Sequence, residues 1–92
     1  MNHYGVMASR HWALWLPDRY AGIPDKETFF TDLGEQIENA IADRAESLER
    51  EGLLEEGFAL KYASPDTARA QAEREVVLQM LLLPPEEETQ AG

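Results

Sequence analysis

A chain of 92 residues is enough for one small domain, and its 18 acidic residues against 8 basic ones give a formal net charge of −10. Such a surface is repelled by nucleic-acid phosphates, which excludes ordinary direct binding to them and favours a basic protein surface instead. There is no cysteine, so disulfides, thiol catalysis and cysteine-metal sites are excluded together, and a thin core is left to draw support from self-association or a partner.

The acidity has a location. Residues 1–24 carry two bases and one acid, residues 25–60 eleven acids and three bases, and residues 61–92 six acids and three bases. The start, Met1-Asn2-His3-Tyr4-Gly5, lacks a basic stretch followed by an apolar run, and the longest apolar stretch, around Leu81-Leu82-Leu83, is too short to span a membrane. The expectation is a cytoplasmic protein with no membrane contact.

The first segment is rich in aromatics: Tyr4, Trp12, Trp15 and Tyr20. A short helix is expected from Ser9, as its cap, to Leu16, where Pro17 forces the preceding residue out of helical conformation. Met7 or Ala8, Trp12, Trp15 and Leu16 then share one face. Trp12 and Trp15 read as core anchors, with an exposed aromatic hot spot for a partner as the alternative. A single turn over residues 18–22 follows, closed by Gly22 and Pro24.

The clearest element is a long helix from Asp25 to Gly52. Asp25 is a good N-cap, Glu27 suits the positive end of the helix dipole, and Gly52 suits the C-terminal stop. Ile23 with Phe29 or Phe30 makes a possible staple. About 26 residues give a rod of about 40 Å. Phe30, Leu33, Ile37, Ile41 and Leu48 recur at helical spacing, flanked by Phe29 and Ala40. Asp32, Glu35, Glu38, Asp43, Glu46 and Glu49 fill the other side, and only Glu46–Arg50 is a well-ordered local ion pair. Arg44 falls on the apolar side, where its stem can lie along the core and its head reach water. Gly34 either permits close helix approach or faces solvent.

Residues 51–64, with Gly52 and Gly57 around Leu53-Leu54-Glu55-Glu56, read as a compact linker containing a helical turn. A last helix is announced by Ser64 as N-cap, Pro65 at the first helical position and Asp66 in the first turn. It is expected to run from Pro65 to Leu83 and end at Pro84-Pro85. Its second half, Val76 to Leu83, is apolar on nearly every side and needs covering; a strand there is the competing reading. Residues 86–92 read as a disordered acidic tail behind a single domain of residues 1–85.

The fold expectation is all-α: a small helical domain whose long central helix packs antiparallel on the C-terminal helix, with a short N-terminal helix over one end.

Catalytic and cofactor signals are missing. His3 and His11 have no metal-ligand spacing, the acid pairs Glu35 with Glu38 and Asp43 with Glu46 face away from the apolar stripe, and the serines lack a nucleophile context. No catalytic, metal or cofactor residue is assigned, and a small metal-dependent enzyme is the least favoured reading. The expected function is a non-enzymatic protein–protein interaction module or small regulator, self-associating as a homo-oligomer. The alternative is an acidic nucleic-acid mimic that inhibits a basic nucleic-acid-handling protein, in the manner of an anti-defence factor. Candidate partner-binding residues are Trp12 and Trp15, the acids Glu35, Glu38, Asp43 and Glu46, and the C-terminal Val77, Met80 and Leu81.

Overall fold

A computed structural model describes residues 1–56, 59–62 and 64–85. Helix α1 spans His3–Trp15, α2 Pro17–Ala21, α3 Lys26–Glu51 and α4 Pro65–Val76; α4 continues directly into a π-helical turn over Val77–Leu81. Two short strands, β1 at Leu53–Glu56 and β2 at Ala59–Tyr62, pair between α3 and α4. The fold is all-α in its core, with long α3 packed against α4 and α1.

Helix α1 begins six residues before the start expected at Ser9. Asn2 caps it, its side-chain oxygen accepting from the Gly5 amide at 2.9 Å. Glycine weakens an isolated helix, so beyond the Asn2 cap little in the local sequence favours turning residues 3–8 into one. Packing does: Gly5, Tyr4 and Ala8 are all buried, and α1 lies across α3 where two glycines meet. A Cβ on Gly34 would stand 2.7 Å from the Gly5 nitrogen and 3.0 Å from its Cα, and a Cβ on Gly5 would stand 2.5 Å from the Phe30 carbonyl oxygen. Of the two roles open to Gly34, the close approach is the one realised.

Leu16 ends α1 and Pro17 opens α2, as the proline demands. Asp25 caps α3 by accepting from the Thr28 amide, and Gly52 ends it in left-handed backbone at φ 82°. Phe30, Gly34, Ile37, Ile41, Ala45 and Leu48 form the buried stripe of α3, meeting Ala68, Ala72 and Val76 of α4.

The helical turn expected in residues 51–64 is corrected to an antiparallel ladder with Leu53 opposite Tyr62 and Glu56 opposite Ala59. Four-residue strands are too short for alternation to register, and their Leu, Glu, Ala and Lys are good helix formers. Pairing across the ladder overrides that preference and returns the chain to the end of α3. Residues 57, 58 and 63 lie outside the described residues, as does the tail at 86–92.

Ser64 and Thr67 close a reciprocal capping box at the start of α4. Asn2 and Gly5 meet Gly34, while Trp12, farther along α1, meets Phe29 and Phe30, so α1 opposes α3. Tyr4 meets Glu73 and His11 meets Leu83, so α1 and α4 run the same way, and α4 therefore opposes α3.

The uninterrupted helix expected to Leu83 is corrected to a π turn. The Leu82 amide donates to the Val77 carbonyl at 2.8 Å, five residues back. Buried positions on α4 recur every four residues, at 68, 72 and 76, but the next is Leu81, five on. An unbroken α-helix would have aimed Met80 or Gln79 into that place. The π turn inserts one residue and turns Leu81 inward.

Candidate interaction surfaces

Three surface features stand out. The first is a group of exposed apolar side chains on α1 and on the π segment. The His11 ring nitrogen Nε2 donates to the Leu83 carbonyl at 2.7 Å, which holds the end of the π segment against α1. Leu14 and Trp15 stand one helical turn beyond His11, at three and four residues' spacing, on the same side of α1. Leu78 and Leu82 lie on the flank of the π segment opposite the buried line of Ala68, Ala72 and Val76. All four are exposed: Leu14 68%, Leu78 64%, Trp15 48% and Leu82 43%.

The second is the outer face of α3, turned away from both other helices. Glu35, Asp43 and Glu46 are exposed there, with Asp32 and Glu49. Glu46 accepts from Arg50 at 2.9 Å. Asp32, Glu35, Asp43 and Glu49 make no ion pair among the described residues. Glu38 departs from this face: it is half-buried and takes both oxygens to Arg69 of α4, at 3.0 and 3.1 Å. Arg44 reaches Glu75 at 2.8 Å, lowering the Glu75 carboxyl below its ordinary range through the charged hydrogen bond and raising Arg44 in return. These inter-helix pairs are a third or more exposed, so each contributes only about 0.2–1 kcal/mol.

The third is a shallow cleft of about 240 Å³ between the start of α1 and the end of α4, lined by His3, Tyr4, Met7, Glu73, Arg74 and Val77. The Tyr4 hydroxyl donates to Glu73. Burial first, and the neighbouring Glu73 carboxylate second, raise the Tyr4 phenol above its ordinary value. Within the cleft the Tyr4 hydroxyl and the Glu73 carboxylate are thus tied to each other. Among the described residues no group of His, Asp or Glu could hold a metal ion, and no helix is long and apolar enough to cross a membrane.

The structure divides the predicted residues between core and surface. Trp12 is half-buried and packs its ring on Phe29 and Phe30, with centroids 5.3 and 5.5 Å away. Its indole Nε1–H is buried without a hydrogen-bond partner among the described residues, at a cost of about 1–3 kcal/mol. Trp15 stands at the surface. Val77 and Met80 are half-buried against the core cluster. Leu81 is buried at 1% exposure and is a core residue rather than part of a docking surface, because the π turn rotates it inward.

Leu14, Leu78 and Leu82 were not singled out from the sequence. For Leu78 and Leu82 the signal was present: extending the line of Ala68, Ala72 and Val76 puts both on the outer flank. For Leu14 it required knowing that α1 starts at His3 and buries the side bearing Gly5 and Ala8. Comparison with protein-family models, curated proteins and solved structures found no significant match to this chain.

Proposed function

We propose that this chain is a non-enzymatic interaction module or small regulator, working in the cytoplasm by binding protein. The observation that carries the reading is the exposure of Leu14 and Trp15 on α1 and of Leu78 and Leu82 on the π segment. All four are large, apolar and exposed, surface that a protein partner would remove from water. The mixed cleft at Tyr4 and Glu73 offers no comparable reason for an enzyme.

A second reading, the phosphate-mimicking inhibitor of a basic nucleic-acid-handling protein, rests on the outer face of α3. Asp32, Glu35, Asp43 and Glu49 keep their charge without an ion-pair partner among the described residues. Two other acids weaken it, since Glu38 and Glu46 are each neutralised by an arginine.

One experiment weighs both. The tagged chain is purified from the cells that make it, beside Leu78→Glu/Leu82→Glu and Glu35→Lys/Asp43→Lys variants of native helix content. Loss of a bound protein from the leucine variant alone supports the interaction module. Loss from the charge-reversed variant alone, in a salt-sensitive manner, supports the mimic. Recovery of the same proteins with all three chains refutes both.

A further inference from the structure

We infer that the segment after Val76 has two registers, the π turn seen here and an unbroken α turn, and that it moves between them as a one-residue ratchet. The inference concerns the mechanics of the fold and does not depend on what the surface binds.

Each place in the π segment has a second claimant one residue earlier in the chain. In the π register the Val77 carbonyl accepts from the Leu82 amide at 2.8 Å, Leu81 fills the core beyond Val76, and the Leu83 carbonyl accepts from His11 at 2.7 Å. The α register follows when each residue past the turn takes the place now held by its successor. The Leu81 amide then reaches the Val77 carbonyl, four residues back, which is an ordinary α-helical bond. Met80 enters the core place of Leu81, Leu81 takes the exposed place of Leu82, and the Leu82 carbonyl becomes the acceptor for His11. Pro84 moves into the place of Pro85, outside the helix, so no proline is drawn into helical backbone.

The two registers lie close in free energy because the residues exchanged are alike. Leucine and methionine have similar volumes and replace one another in cores at small cost, and Met80 already packs half-buried against the core cluster. Residues 77–83 carry no charge, so the rotation of about 100° drags no charged group through apolar surroundings. Two opposing differences remain. The α register restores the regular helical ladder, whereas the π register keeps Gln79 in water instead of at the half-buried margin now held by Met80. Leucine filling the core decides for the π register, and the α register is the minor one, populated on the order of 1%. An element with two discrete arrangements is a conformational device: a contact at residues 82–85 that favours one register changes which side chain stands in the core against α1 and α3.

The test is urea unfolding of a set of variants, with methyl relaxation dispersion on the unmutated chain. In a one-register protein Leu81→Gln buries an amide in the core and is far less stable than Leu81→Ala. With two registers both variants fall back on the α register with Met80 inside. Each then lowers the folding equilibrium constant by a factor on the order of 100, and the two agree within about tenfold. Met80→Gln removes the fallback, so Met80→Gln/Leu81→Gln should lose at least about tenfold more than the product of the two single effects. In the unmutated chain the Met80 and Leu81 methyl groups should exchange on the microsecond-to-millisecond scale of helix register shifts, and Met80→Gln should quench the exchange at Leu81. A Leu81→Gln protein more than about tenfold less stable than Leu81→Ala overturns the second register, as do independent effects in the double variant or the absence of methyl exchange.

Discussion

Replacing Gly34 by alanine tests the helix crossing that organises this fold. In an exposed helix the change would stabilise by about 1 kcal/mol, because alanine is the better helix former. Here the new Cβ would lie 2.7 Å from the Gly5 nitrogen and 3.0 Å from the Gly5 Cα, both backbone atoms of α1. Neither moves without shifting the whole helix. The Cβ would come closer still to the Asn2 side-chain oxygen, which caps α1 through the Gly5 amide. Overpacking of this kind costs about 1–3 kcal/mol, and loss of the cap about 1 kcal/mol more. Set against the propensity gain, the net destabilisation is about 1–3 kcal/mol, or a fall of roughly 5–20 °C in Tm for a domain of this size. The assay is thermal and urea unfolding followed by circular dichroism. The control is Gly22→Ala, where the nearest atoms to a new Cβ are the Arg19 and Asp18 carbonyl oxygens at 3.6 Å, an ordinary contact; it should be neutral or slightly stabilising. A Gly34→Ala protein as stable as the parent would refute the crossing.

Three further outcomes follow from particular contacts. Leu81→Ala should destabilise by about 2–5 kcal/mol while Leu78→Ala stays within about 0.5 kcal/mol, because the π turn buries Leu81 while Leu78 faces water; equal effects in urea unfolding would count against the turn. The Glu75 carboxyl is lowered by Arg44, so its stabilisation is present above the ordinary carboxylate pKa and lost as pH falls through the lowered value. Glu75→Gln should therefore be less stable than the parent near neutrality, and the difference should vanish in acid; a gap that persists in acid would assign the effect to packing. The Tyr4 phenol is raised, so its contribution is intact below the ordinary value of 10.0 and lost as pH rises through the raised one. Ultraviolet titration should show one tyrosine ionising late, and Tyr4→Phe should abolish that late step; its survival in the variant would place the perturbed phenol elsewhere.

Reading along the chain reaches the elements whose causes are local. Asp25, Gly52 and the Ser64-Pro65 start mark helix ends by hydrogen-bonding and backbone preferences that act within a few residues, and they stand where the sequence puts them. The apolar stripe of α3 is legible for the same reason, since its periodicity is written in one continuous helix. The acidic face opposite is legible as a surface, but its pairing is not: Glu38 finds Arg69 across 31 positions, and Arg44 finds Glu75 across the same separation.

The remainder was decided by tertiary contact. The first turns of α1 exist because Gly5 and Gly34 let two backbones meet, an advantage invisible to either segment alone. The ladder of β1 and β2 forms from residues with helical preference because each strand supplies the other's hydrogen bonds. The π turn is the sharpest case. The composition of Val76 to Leu83 establishes that a helix apolar on all sides needs cover. Which side chain receives it depends on one inserted residue, which turns Leu81 to the core in the place an unbroken helix would give Met80 or Gln79. A helix spaces its residues by about 100°, so a single residue of register exchanges a core position for a surface one, and only packing against α1 and α3 selects between them.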